Sequence, residues 1–90
     1  MYLHYYHNKQ HCGQVDSELV FNYPKGRHFI VIAHNQEQQD ALEAFKLIYG
    51  KHIQVVSLTE AKRLDKSYPL TTEIFITKKA GATLDLELLV

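Results

Sequence analysis

The sequence predicts an α+β fold: a mixed sheet of four to six strands with one major helix, one short helix and a C-terminal β-hairpin. Three observations predict it. Phe29-Ile-Val-Ile-Ala33 is an unbroken apolar run with no polar alternation, the pattern of a central strand covered on both faces. Directly after it the period changes. Ala41, Leu42, Phe45, Ile48 and Tyr49 recur at three- and four-residue steps, one face of a helix, and Ile53 to Ser57 then reads as a second strand. Near the C-terminus Leu84, Leu86 and Leu88 alternate with Asp85 and Glu87, as a half-buried strand does.

Taken in order, Tyr2 to His7 is rich in tyrosine and favours a strand. Asn8 to Gln14 lacks an apolar period and reads as a loop. Glu18-Leu-Val-Phe21 is a short apolar run, expected to be the second strand of an N-terminal hairpin. Asn22-Tyr-Pro-Lys-Gly26 is a turn, with φ fixed at Pro24 and free at Gly26. Asn35 is a suitable helix N-cap with Gln38 three residues on, and Glu37 and Asp40 lie where the helix dipole favours negative charge. Gly50 is placed to end the helix. If the strands at 29–33 and 53–57 are parallel, the crossover is right-handed. Thr59 is expected to cap a short helix anchored by Leu64, which must stop before Pro69. Thr71 to Lys79 is a strand with Ile74 and Ile76 on one face and Phe75 and Thr77 on the other. Ala80-Gly-Ala82 turns the chain into the return strand, Thr83 to Val90.

The expected core contains Phe29, Val31, Leu42, Phe45, Ile53, Val55, Ile74, Ile76, Leu84 and Leu86. Which face of the central strand meets the helix, Phe29 with Val31 or Ile30 with Ile32, is open at this stage. Phe45→Ala is expected to cost about 3–5 kcal/mol.

Ninety residues with no separating linker make one domain, 1–90, and 46% hydrophobic residues are ordinary for a globular chain. Ten Lys and Arg balance ten Asp and Glu, so no net field steers the protein to nucleic acid or an acidic membrane. Cys12 is the only cysteine, which excludes an internal disulfide and points to a reduced, cytoplasmic setting. No apolar run approaches the roughly 20 residues of a membrane-spanning helix, and the N-terminus lacks the pattern of a signal peptide.

Four groups of residues have chemistry to offer. His4, His7 and His11, with Cys12, are ligand types for zinc, copper or nickel. However, His4 and His7 point to opposite faces of a strand and no CxxC or HxxxH pair supports them, so no metal or cofactor is expected. His34, Asn35 and Gln36 stand at a strand-to-helix corner, the usual place for a ligand beyond the carboxyl ends of parallel strands. No glycine-rich loop follows them, and Glu37 and Asp40 oppose an anion. Lys62, Arg63 and Lys66, near Tyr68, form a small basic group of the kind that holds single-stranded nucleic acid, though three charges on a neutral chain are a weak footprint. Cys12 beside His11 has no oxyanion site and, as a neighbour in sequence, poor geometry for nucleophilic catalysis.

From His28 onward the order of elements resembles the glutaredoxin and thioredoxin group, in Phe29-Ile-Val-Ile-Ala-His-Asn35, the helix to Tyr49, and Tyr68-Pro69 ahead of a strand. That group carries CxxC at the corner, where this chain has His34-Asn-Gln-Glu37, and Thr59 to Pro69 is too short for its second helix. The resemblance covers layout over about two-thirds of the chain and no motif. It implies at most a redox-dead scaffold, since layout alone does not carry function.

With no catalytic set converging, the chain is read as a non-catalytic binding or interaction module that meets itself or another protein. A homodimer is expected through uncovered sheet edges at the N-terminal and C-terminal strands. The alternative is a small-molecule binder or enzyme at the His34–Asn35 corner.

Overall fold

In a computed structural model, which describes residues 1–22, 29–49, 53–64 and 72–89, the fold is a five-stranded mixed sheet between two layers of helix and coil. The strands are β1 (Tyr2–His7), β2 (Gln10–Asp16), β3 (Phe29–Ala33), β4 (Val55–Ser57) and β5 (Glu73–Ile76), in spatial order β2-β1-β5-β3-β4. The helices are α1 (Ser17–Phe21), α2 (Gln36–Tyr49) and α3 (Leu58–Leu64). The expected α+β class and the strand–helix–strand unit β3-α2-β4 are present, with β3 parallel to both β4 and β5.

Both faces of β3 are covered, as its uninterrupted apolar run requires. Val31 and Ala33 lie under α1 and α2 with Leu3, Val20, Phe21, Leu42, Ile53 and Phe75, and Phe29, Phe45 and Val55 pack partly buried against them. This settles which face meets the major helix. Ile30 and Ile32 lie on the opposite face with Tyr6, Val56, Ile74 and Ile76, covered by Ala61 of α3 and by Leu84, Leu86 and Leu89 of the C-terminal leg. Phe45 is only partly buried, so the full cavity cost belongs to Phe75 instead, which is wholly enclosed.

The N-terminal third corrects the sequence expectation. The hairpin exists, but its second strand is Gln10–Asp16, most of which reads as loop. Asn8 and Lys9 form the turn, both with positive φ (50° and 63°), the conformation that matches strand twist in a tight hairpin. Glu18 to Phe21 is helical, not extended: Asp16 caps it by accepting from the Glu18 N–H at 2.9 Å, and Asn22 Nδ2 donates to the Glu18 carbonyl at 2.8 Å. Adjacent Val20 and Phe21 are both buried in the same cluster, which one turn of helix allows and strand alternation does not.

Smaller differences follow elsewhere. Ser57, not Thr59, caps α3, its Oγ accepting from the Glu60 N–H at 3.1 Å, and the buried anchor is Ala61 rather than Leu64. After β5 the chain does turn back, through Gly81, and Gln10 and Thr83 make an antiparallel bridge. The return leg thus bonds to β2 rather than to β5, and Leu86–Leu88 is a 3-10 turn. The tyrosine-rich strand β1 is interior to the sheet, so the exposed edges belong to β2 and β4. The expected turn around Pro24 and the helix stop at Gly50 lie outside the described residues.

Candidate functional site

Because β3, β4 and β5 are parallel, their carboxyl ends share one rim of the sheet, where α2 and α3 begin. His34 leaves β3 there beside Thr77, which follows β5. Thr77 Oγ1 accepts from the His34 backbone N–H at 3.0 Å and lies 2.6 Å from His34 Nδ1. Asn35 caps α2, its Oδ1 accepting from the Gln38 N–H at 2.8 Å, which leaves its Nδ2 as the donor 3.0 Å from His34 Nε2. Nε2 must therefore accept, and a neutral ring carries its proton on Nδ1 and donates to Thr77. Gln36 Nε2 donates to Asp40 Oδ1 at 2.8 Å. The three residues singled out at this corner are thus brought together, but their polar groups are engaged with one another, with Thr77 and with the helix start. The corner is a clasp between β3, β5 and α2. Thr77 is the member that sequence reasoning missed, since only the parallel register of β5 places it there.

The four N-terminal ligand-type residues separate. Tyr5 pairs with Gly13 and Tyr6 with His11, so Cys12 is an extra, unpaired residue, a β-bulge. The bulge moves His11 onto the face that carries His4 and Tyr6. His4 Nδ1 then lies 3.2 Å from His11 Nε2, and the Tyr6 ring meets His11 edge-on at 5.2 Å. His4 is held below the ordinary imidazole value of 6.5, first by burial, then by the charge of His11 and of Lys79. His7 is exposed on the opposite face of β1, and the exposed Cys12 thiol donates to the Gln10 carbonyl at 3.4 Å. Neither joins the pair, and among the described residues no group of three or more His, Cys, Asp or Glu converges.

Tyr6 has a role that its position in a tyrosine-rich strand did not announce. Its side chain is fully buried, yet its hydroxyl accepts from the Ala80 N–H at 2.8 Å and donates to the Gly81 carbonyl at 3.1 Å. With the His11 N–H donating to the Ala82 carbonyl and the Leu84 N–H to the Lys9 carbonyl, it pins the C-terminal leg across the hairpin.

The basic residues of α3 are occupied locally. Lys62 Nζ donates to the Leu89 carbonyl at 2.9 Å, and Arg63 pairs with Glu60 at 2.6 Å. Lys66 lies outside the described residues.

The least expected surface is the end of α2. Leu47, Ile48 and Tyr49 are 69%, 72% and 55% exposed, and Leu19 of the adjacent α1 is 63% exposed. Ile48 and Tyr49 belonged to the apolar period from which the helix was predicted, but the inward stripe is carried by Leu42 and Phe45 alone. Ring contacts of Phe45 with Phe21 (5.5 Å) and Tyr49 (5.1 Å) tie α1 and the end of α2 together.

No protein-family model matches the chain, and no curated protein and no solved structure shows significant similarity to it. Among the described residues no helix is long and apolar enough to cross a membrane.

Proposed function

We propose that this protein is a non-catalytic interaction module of the reduced cytoplasm that works by pairing with a second copy of itself, through the end of α2 and the neighbouring α1. The observation that carries this reading is the consecutive exposure of Leu47, Ile48 and Tyr49. Side chains of this size expose on the order of a few hundred Å² of apolar surface, the size of the largest patch on a typical monomer, which is often functional.

A second copy is the favoured occupant for two reasons. Zero net charge removes long-range repulsion between copies. Pairing through sheet edges has less to offer: β4 is three residues long, and part of β2 is bonded to the C-terminal leg. A two-fold pairing centred on Leu47 and Ile48 buries the same patch on both copies. Each copy contributes less than the roughly 800 Å² per partner of a stable complex, so the dimer is weak and reversible. The alternative reading, a ligand site or enzyme at His34 and Asn35, has against it the internal bonding of both ring nitrogens and of the cap amide.

Sedimentation velocity tests the proposal. The wild-type chain is expected to move from 10.5 kDa at low micromolar concentration toward twice that mass as concentration rises. Leu47→Lys with Ile48→Asp is expected to hold it at the monomer mass. A wild-type particle of monomer mass up to millimolar concentration rules self-association out.

A further inference from the structure

We propose that His4 and His11 form a two-imidazole chelate, across the β1–β2 hairpin, for a borderline divalent ion of the Cu²⁺, Ni²⁺ and Zn²⁺ class. The placement is built by the fold. Without the extra residue at Cys12, positions 11 and 14 would fall on opposite faces of β2. With it, His11 and Gln14 share the face of His4, and His11 becomes the diagonal neighbour of His4 across the ladder.

The separation is right for one ion. Two metal–nitrogen bonds of about 2.0–2.1 Å, meeting at a tetrahedral or square-planar angle, leave their nitrogens roughly 2.9–3.4 Å apart. His4 Nδ1 and His11 Nε2 are 3.2 Å apart. The ring centroids stand 5.4 Å apart with planes tilted by 41°, and the two nitrogens face each other. Each ring must swing off the line between the two nitrogens to bring both lone pairs onto a shared ion in place of the proton that now joins them.

Two further features favour the site. The Tyr6 ring against His11 limits the rotamers that its imidazole adopts. Gln14, the ladder partner of His4, stands exposed on the same face and offers an amide oxygen. Because only two nitrogens come from the protein, water completes the coordination and the affinity is modest. The order follows ligand chemistry, with Cu²⁺ bound more tightly than Ni²⁺ or Zn²⁺. A bound ion crosslinks β1 to β2 and stabilises the hairpin by mass action.

Isothermal titration of the untagged chain with Cu²⁺, Ni²⁺ and Zn²⁺ at neutral pH tests this, with melting temperature as a second readout. One ion per chain at micromolar affinity is expected, with a rise in melting temperature and weaker binding as pH falls. His4→Gln and His11→Gln each lower the affinity by at least about 10–100-fold, the cost seen even for outer-shell partners, whereas His7→Gln and Cys12→Ser leave it unchanged. His11 lies on the edge strand, so its variant remains informative if the His4 variant folds poorly. Absence of binding at millimolar metal overturns the proposal. So does binding that survives His11→Gln in a folded protein, or a loss on Cys12→Ser as large as that on His11→Gln.

Discussion

The two halves of the sheet are stabilised in different ways. In the parallel half, β3 and β5 are largely apolar on both faces, and α1 and α2 on one side and α3 with the C-terminal leg on the other bury them. In the hairpin half, β2 is QHCGQVD, with no fully buried residue, and is held by its ladder to β1, a tight turn, a bulge and bonds to the returning chain. The first half depends on area removed from water and the second on hydrogen-bond geometry. They also differ in what they leave exposed: mostly polar groups, with Tyr2, on the hairpin, and the apolar end of α2 on the parallel side.

The sharpest way to break this comparison is at Phe75, where the halves join. β5 pairs with both β1 and β3, and the Phe75 ring stacks on Tyr5 at 5.0 Å and meets Phe29 edge-on at 5.8 Å. Phe75→Ala is expected to cost about 3–5 kcal/mol by denaturant unfolding, enough to threaten a domain whose total is about 5–15 kcal/mol. A loss below 1 kcal/mol would contradict the central position given to β5. Tyr6→Phe probes the tie between the hairpin half and the C-terminal leg. It keeps the ring and removes both bonds to Ala80 and Gly81, at an expected cost of about 1–3 kcal/mol. Amide exchange should accelerate at residues 80–84 before it does in β3. Asn35→Ala probes the parallel half, removing the α2 cap for about 1 kcal/mol without loosening the hairpin.

The smallest effect depends on pH. His4 titrates below 6.5 in the folded chain, so the unfolded chain binds its proton first as pH falls. The stability this group contributes is complete above about pH 6.5, is lost as pH falls from there to the folded value, and changes no further below it. His4→Gln should flatten that part of the profile of unfolding free energy against pH. An unchanged slope would show that the histidine pair is not coupled to folding.

The same contrast explains what was legible in the sequence. The switch from the apolar run 29–33 to a helical period survives in any reading, because burial on both faces writes itself into composition. Asn35 as cap, and the opposed faces of Ile74 and Phe75, were legible for the same local reasons. The strand β2 was not, since an edge strand with polar residues on both sides has no apolar alternation to read. Its turn is Asn8-Lys9 rather than the Asn-Gly that announces a tight hairpin, and the Cys12 bulge breaks the period of two. The histidine pair was hidden by that bulge, which alone puts His11 beside His4. Glu18 to Phe21 is too short for periodicity to separate helix from strand, and its cap, Asp16, was the one available signal. The return leg alternates like a strand, but Leu84, Leu86 and Leu89 face a sheet that has no free position beside β5, which β1 and β3 already flank.

Self-association through the parallel half is tested most directly by amide spectra of the labelled chain over a dilution series. Concentration-dependent shifts are expected at Leu47, Ile48 and Tyr49 and at Leu19, with β2 unmoved. Spectra that do not change with concentration, or changes confined to Gln10–Asp16, would contradict the account.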